Sequence, residues 1–253
     1  MYNFKERKVS PFIINKGFTQ YSQAVFGSLG YIYGALKQKS MEVTITIMVI
    51  TCIVSFVAFS DEAIKNKLIF YPPYITERNQ WYRFLTHGLI HADIAHLAFN
   101  MISFYFFGRI TEAAFKSIFE QTGALLYILM YLSALIVSEL PSYNKHKNNY
   151  GYASLGASGA VSAVVFIGIL LRPADGITIF PIPIPIPGFV FAPLFIIVSA
   201  YLDKKGNTNI GHSAHIWGAL YGLAFMIVTC YFLSDYRPVS IFIEEVKNYI
   251  NNF

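Results

Sequence analysis

Gly156-Ala157-Ser158-Gly159 runs without a break into the apolar segment Ala160 to Leu171. A serine flanked by small residues at the head of a hydrophobic helix holds its hydroxyl near the helix's positive end, where developing negative charge is favoured. Such a position suits a nucleophile, yet most serines in small-residue settings only let helices pack closely. The reading of Ser158 therefore depends on what else in the chain converges on it.

Of the 253 residues, 55% are hydrophobic and 13% charged, where soluble proteins carry roughly a quarter charged. Long apolar runs cover Val43 to Phe59, Ile94 to Phe107, Ala124 to Val137, Gly156 to Leu171, Phe189 to Tyr201 and Ser213 to Leu233. Several fall short of the ~20 residues a spanning helix needs, so their ends must borrow from the flanks. The expectation is an all-α membrane protein with six spans in residues 41–234, an N-terminal arm at 1–40 and a C-terminal tail at 235–253. The first run lies too far from Met1 for an ordinary cleavable signal, and is expected to stay as an anchor. Cys52 and Cys230 both lie inside apolar runs, without disulfide or zinc spacing, and read as packing residues. The net charge of +5 is scattered around the membrane segments, which argues against a nucleic-acid partner.

Before the first span stand Lys5, Arg7, Lys8, Lys16, Lys37 and Lys39, with only Glu6 against them. Positive charge beside a first membrane helix holds that end in the cytoplasm, and six spans return the C-terminal tail to the same side. The Ser60 to Asp93 loop contains Pro72-Pro73 and Gln80-Trp81-Tyr82-Arg83-Phe84, an aromatic density suited to the membrane-water interface. Polar connections are expected at Arg109 to Gly123 and at Pro141 to Tyr152. The alternating prolines Pro181 to Pro187 predict an extended, polyproline-like interfacial strap rather than helix. The fifth helix, carrying Pro193, is then short, and Asp203 to Asn209 is a hydrophilic turn.

From a cytoplasmic N-terminus, the second, fourth and sixth helices all run from the outer face inward. His96 with Asn100, Ser158 and His215 then lie in early turns of their helices at similar depth, where one site can contain them all. His96 and Asn100, four apart, share a helix face. Polar side chains inside a span are costly and usually face the bundle interior or a water-filled cavity. Gly218-x-x-x-Gly222 has the small-residue spacing that lets membrane helices approach closely, and Gly156, Gly159, Ala160 and Ala163 allow the reciprocal approach.

These pieces resemble the rhomboids, a family of intramembrane serine proteases. The matching motifs are Trp81-x-Arg83, His87-x-x-x-His91-x-x-x-x-His96-x-x-x-Asn100, Gly156-x-Ser158-Gly159 and Ala214-His215-x-x-Gly218-x-x-x-Gly222. Together they span roughly Val43 to Leu233. The resemblance implies a six-helix rhomboid-like bundle with an interfacial first loop, Ser158 as nucleophile and His215 as general base. His96 and Asn100 are similar to the family's oxyanion donors, joined by the Ser158 backbone N–H. Trp81, Arg83, His87, His91, Gly156, Gly159, Gly218 and Gly222 take supporting roles in the first loop and in packing. The implied substrates are transmembrane proteins in a lipid bilayer, with no cofactor; a bacterial plasma membrane is the expected location.

The chain also departs from the family pattern. Rhomboids often carry an aromatic four residues after the nucleophile, stacked on the catalytic histidine; here that residue is Ser162, leaving Trp217 or Tyr221 to take part instead. The helix-two pattern G-x-x-x-E-x-x-x-G is met by Gly108 and Glu112 but ends in Lys116. His87 and His91 at i, i+4 have zinc-like spacing, yet no carboxylate or cysteine completes a site, and a structural network is favoured. Ser154 and Ser162 read as loop or packing residues. An inactive relative that binds membrane-protein clients and a small transporter are the competing classes. The first usually lacks the serine or histidine, and the second is expected to show repeat symmetry and broken helices.

Overall fold

A computed structural model describes residues 42–179, 182–205 and 211–252. The N-terminal arm at 1–40 and much of the Asp203 to Asn209 turn lie outside them. In chain order the helices are α1 (Glu42–Ser60), α2 (Glu62–Leu68), α3 (Pro72–Arg78), α4 (Arg83–Thr86), α5 (Ile94–Phe119), α6 (Gly123–His146) and α7 (Ser158–Leu171). The hairpin β1 (Gly176–Ile179) and β2 (Ile182–Pro187) follows, then α8 (Gly188–Lys205), α9 (His212–Leu233) and α10 (Pro238–Asn251). Among the described residues, three helical stretches are long and apolar enough to cross a membrane: Glu42–Ser60, Ile94–His146 and His212–Leu233; Ser158–Leu171 is apolar but shorter.

The first expected polar connection is helical throughout, and the second is helix over its first half. The second helix does not end near Gly108 but continues to Phe119, because its polar residues stabilise it. Fully buried Glu112 accepts hydrogen bonds from the backbone N–H groups of Val43 (3.2 Å) and Thr44 (2.8 Å) and from the Thr44 hydroxyl (2.6 Å). Its carboxylate thus satisfies unpaired donors at the head of α1, where the helix dipole favours negative charge. One turn later, Lys116 donates to Glu112 at 2.7 Å, so the lysine in place of the pattern's glycine serves as the carboxylate's counter-ion. Gly108 packs against Thr44 and the Tyr127 hydroxyl. The connection to α6 is only the single turn Glu120–Thr122.

Likewise, α6 runs through Pro141 to His146. Its buried Ser138, Glu139 and Ser142 keep one face engaged across the proline, and Lys145 and His146 sit in the last turn, where the dipole favours cations. The Ile-Pro tract is extended, as expected, but forms a strand rather than a free strap. It pairs antiparallel with β1, Ile186 opposite Ile177 and Ile182 opposite Ile179. Every second residue of an edge strand points its N–H away from the partner, so alternating prolines lose no ladder bond. The C-terminal tail folds as α10, whose Phe242 packs on the core and whose Tyr249 ring meets Phe189 at 5.4 Å.

The helix pair that positions the site is α7 with α9. Almost all of α7 is buried, and its small residues set the distance to α9. A β-carbon on Gly218 would collide with the Gly159 carbonyl, one on Gly222 with Ala163, and one on Gly159 with the Ser138 side chain. Cys230 is buried in this core and Cys52 is half-buried; both are free thiols. Because the obstacle at Gly218 is backbone, Gly218→Val must push the helices apart, and overpacking of this kind costs about 1–3 kcal/mol or more. The expected result is a clear drop in the midpoint of thermal unfolding in detergent. An unchanged midpoint would show that the contact is not needed.

Candidate active site

The first loop is folded around a small core of its own. Phe70, Ile75 and Phe84 form a small core of their own, with Tyr143 and Tyr152 packed against it. Arg83, buried to 3% exposure, donates to the backbone carbonyls of Asn66 (3.0 Å) and Ile69 (2.6 Å) and to Gln80 Oε1 (2.7 Å). One guanidinium therefore ties together three points of the loop, a task its rigid fork of donors suits. Trp81 stays half exposed, stacked on Phe84 and tilted against Tyr143.

This loop grips the segment that delivers Ser158. Phe70 and Ser154 exchange backbone hydrogen bonds (3.0 and 3.1 Å), and the Gly156 N–H donates to the His87 carbonyl at 2.9 Å. The Ser154 hydroxyl donates to Glu139 Oε1 at 3.1 Å. Gly156 has φ +118, and a β-carbon there would strike the His96 ring, so both backbone and space require glycine. The fully buried His91 places Nδ1 3.0 Å from the Ser55 hydroxyl, and its Nε2 faces the Ala157 N–H at 3.5 Å. Since Ser55 donates its own proton to the Leu89 carbonyl (2.9 Å), it accepts from His91 Nδ1–H, leaving Nε2 as an acceptor for Ala157. The His87 Nε2 lies 3.4 Å from the Leu135 carbonyl, and its buried Nδ1 has no hydrogen-bond partner. Among the described residues, no cluster of three or more metal-ligating side chains occurs.

Burial pushes the His91 imidazole down to about 3, with the neighbouring His96 and His87 adding to the effect. An unfolded chain takes up this proton near pH 6.5, so between pH 6.5 and about 3 it binds more protons than the folded one. Stability must therefore fall as pH drops through that window. His91→Asn should start from a lower midpoint of thermal unfolding and show a shallower fall between pH 7 and 4. Equal slopes in both proteins would contradict this role.

At the heads of α7 and α9, the His215 Nε2 and the Ser158 Oγ lie 2.7 Å apart. Ser158 is the first residue of α7, so its backbone N–H is one of those with no intrahelical carbonyl to meet. Both side chains are half-buried. Among the described residues no carboxylate hydrogen-bonds with His215, which leaves a serine-histidine pair without a third member.

Asn100 is buried to 3% exposure and donates one amide N–H to the His96 carbonyl at 3.0 Å, leaving a second amide N–H. The His96 ring lies against Gly156 and meets His91 edge-on at 5.0 Å. Its Nδ1 faces the Ala92 N–H at 3.5 Å, an arrangement that puts the ring proton on Nε2, the nitrogen nearer Gly156. Asp93 caps α5 through the His96 N–H at 2.7 Å, fixing where both residues begin.

Sequence reasoning overlooked two residues here. The rings that meet His215 are Phe195 of α8 (centroids 6.2 Å apart) and His212 (5.9 Å, edge-on). Tyr221 instead donates to Ser133 Oγ at 2.7 Å, and Trp217 is 46% exposed, so neither takes the aromatic place left by Ser162. His212 had a sequence signal, since it lies one helical turn before His215. Phe195 had none, because its contact depends on how α8 is placed.

A family model described as the Rhomboid domain matches residues 78–232. The chain is 28% identical over 158 residues to the rhomboid protease GlpG of Haemophilus influenzae, covering 62% of this chain and 73% of that protein. It is 29% identical over 143 residues to the mitochondrial RHOMBOID-like protein 12 of Arabidopsis thaliana, covering 53% of this chain and 42% of that protein. With the matched domain taking in the Ser158–His215 pair, Asn100 and the Gly218 and Gly222 contacts, the chain belongs to the rhomboid family and has its multi-span helical membrane fold.

Proposed function

We propose that this protein is an intramembrane serine endopeptidase that hydrolyses peptide bonds in or near the transmembrane segments of membrane-protein substrates. The observation that carries the reading is the 2.7 Å approach of His215 Nε2 to Ser158 Oγ. A serine hydroxyl is a weak nucleophile until an adjacent base takes its proton. In the acylation step Ser158 Oγ attacks the scissile carbonyl carbon while its proton passes to His215 Nε2. The resulting oxyanion meets the Ser158 backbone N–H, Asn100 and His96. Collapse of the tetrahedral intermediate breaks the C–N bond, and the imidazolium returns its proton to the leaving amine. Water then attacks the acyl-serine, with His215 again taking and returning a proton, and frees the carboxylate product and Ser158.

In this reading α1 and α5 to α9 supply six spans, with the N- and C-termini in the cytoplasm and the site toward the outer face. The alternative of an inactive client-binding relative has less support, because both reacting groups are present and in contact. The direct test uses the purified protein in liposomes with single-span substrates. Cleavage within or beside the substrate's apolar segment, mapped by product mass, supports the proposal; intact substrates across a panel of such proteins would contradict it.

A further inference from the structure

His215 projects from α9 at the head of the bundle, and a base that must first take and then give a proton needs a ring held in one orientation. No carboxylate bonds to it among the described residues, and the residue one turn after Ser158 is a serine. What the imidazole does meet is the Phe195 ring, tilted 32° from it with centroids 6.2 Å apart. Phe195 is itself fixed by Phe166 of α7 (5.5 Å) and by Phe191 one turn earlier (5.7 Å). His212 closes the other approach edge-on, with its buried Nε2 left without a hydrogen-bond partner.

Phe195 stands on a helix that buries little against the rest of the bundle. In α8 only Gly188 and Ser199 are buried, while Leu194, Ile197, Val198 and Tyr201 are all 48% exposed or more. The helix also contains Pro193, which removes one backbone hydrogen bond. It packs chiefly on α9 and more sparsely on α7, so an outward movement of α8 breaks few contacts, and the Phe195–His215 contact is among them.

We propose that Phe195 is the positioning residue for His215, replacing from α8 the aromatic that α7 lacks at Ser162, and that it makes the base sensitive to the placement of α8. The proposal rests on the protease reading above and adds to it a residue that acts through its contact with the His215 ring. It has a consequence opposite to that of a simple barrier. A phenylalanine that only blocks substrate entry would, on removal, speed transmembrane substrates and leave Ser158 as reactive as before. A phenylalanine that orients the base would, on removal, slow Ser158 towards every electrophile, however small.

The experiment compares wild type, Phe195→Leu and Phe195→Tyr in detergent. Its readouts are the labelling rate of Ser158 by a small fluorophosphonate, and kcat and KM for a short soluble peptide. Leucine keeps apolar bulk on a helix that buries little, so folding should survive, and the midpoint of thermal unfolding checks this. Aromatic pairs contribute about 0.5–1.5 kcal/mol beyond area burial. Phe195→Leu should therefore lower labelling and peptide kcat about two- to twelvefold with KM little changed, while Phe195→Tyr stays near wild type. Unchanged or faster labelling in Phe195→Leu would overturn the proposal in favour of a barrier. Equal losses in both variants would overturn the requirement for a ring. Absence of labelling in wild type would instead defeat the protease reading itself.

Discussion

Ser158→Ala and His215→Ala should each abolish cleavage of a membrane-embedded substrate, with losses on the order of 10⁴-fold or more, while the bundle stays folded. In the proposed mechanism the two side chains act as one unit: without Nε2 the hydroxyl keeps its proton, and without the hydroxyl there is no nucleophile. The double variant should therefore be about as inactive as either single one, as expected for groups that share one step. Folding should survive because both side chains are half-buried at the ends of their helices. Their contact is not what joins α7 to α9; the approach of Gly218 to Gly159 and of Gly222 to Ala163 does that. Wild-type turnover in Ser158→Ala, measured by product formation in liposomes, would sink the assignment.

Removing the Asn100 amide should be the next most damaging change. Attack by Ser158 places negative charge on an oxygen where water is scarce, and each fixed donor aimed at that oxygen is worth about a hundred- to a thousandfold in turnover. Asn100 spends one amide hydrogen on the His96 carbonyl, which fixes its orientation and leaves the other to give. Asn100→Ala should lower kcat by about that factor with a smaller effect on KM, and Ser158 should keep measurable reactivity towards a fluorophosphonate. An unchanged kcat, or a loss that merely follows unfolding, would make α5 structural and move the oxyanion donors elsewhere.

That Ser158 and His215 come together was legible in the sequence to the extent that it depends on helix starts and small-residue spacing. Ser158 begins α7 and His215 lies in the first turn of α9, and the glycine stripes name the helices that must touch. The lengths of α5 and α6 were not legible, because Glu112, Lys116 and Glu139 look like loop residues until their partners are known. The partner of Glu112 is the head of α1, and that of Glu139 is Ser154, across long or intermediate sequence separations that no local pattern reports. The hairpin was missed for a related reason: alternating prolines disfavour helix, but whether an extended tract finds a neighbouring strand depends on β1. Phe195 lay out of reach because nothing in the sequence of α8 says which residue of α9 it faces, and its contact with His215 is made by position alone.

The central claim is that His215 activates Ser158, and chemical labelling tests it without needing to know the physiological substrate. A fluorophosphonate incubated with the purified protein should leave a single covalent adduct, and peptide mass spectrometry should place it on Ser158. The adduct should vanish in Ser158→Ala and form far more slowly in His215→Ala. An adduct on another serine, or labelling of Ser158 at the same rate without His215, would contradict the account.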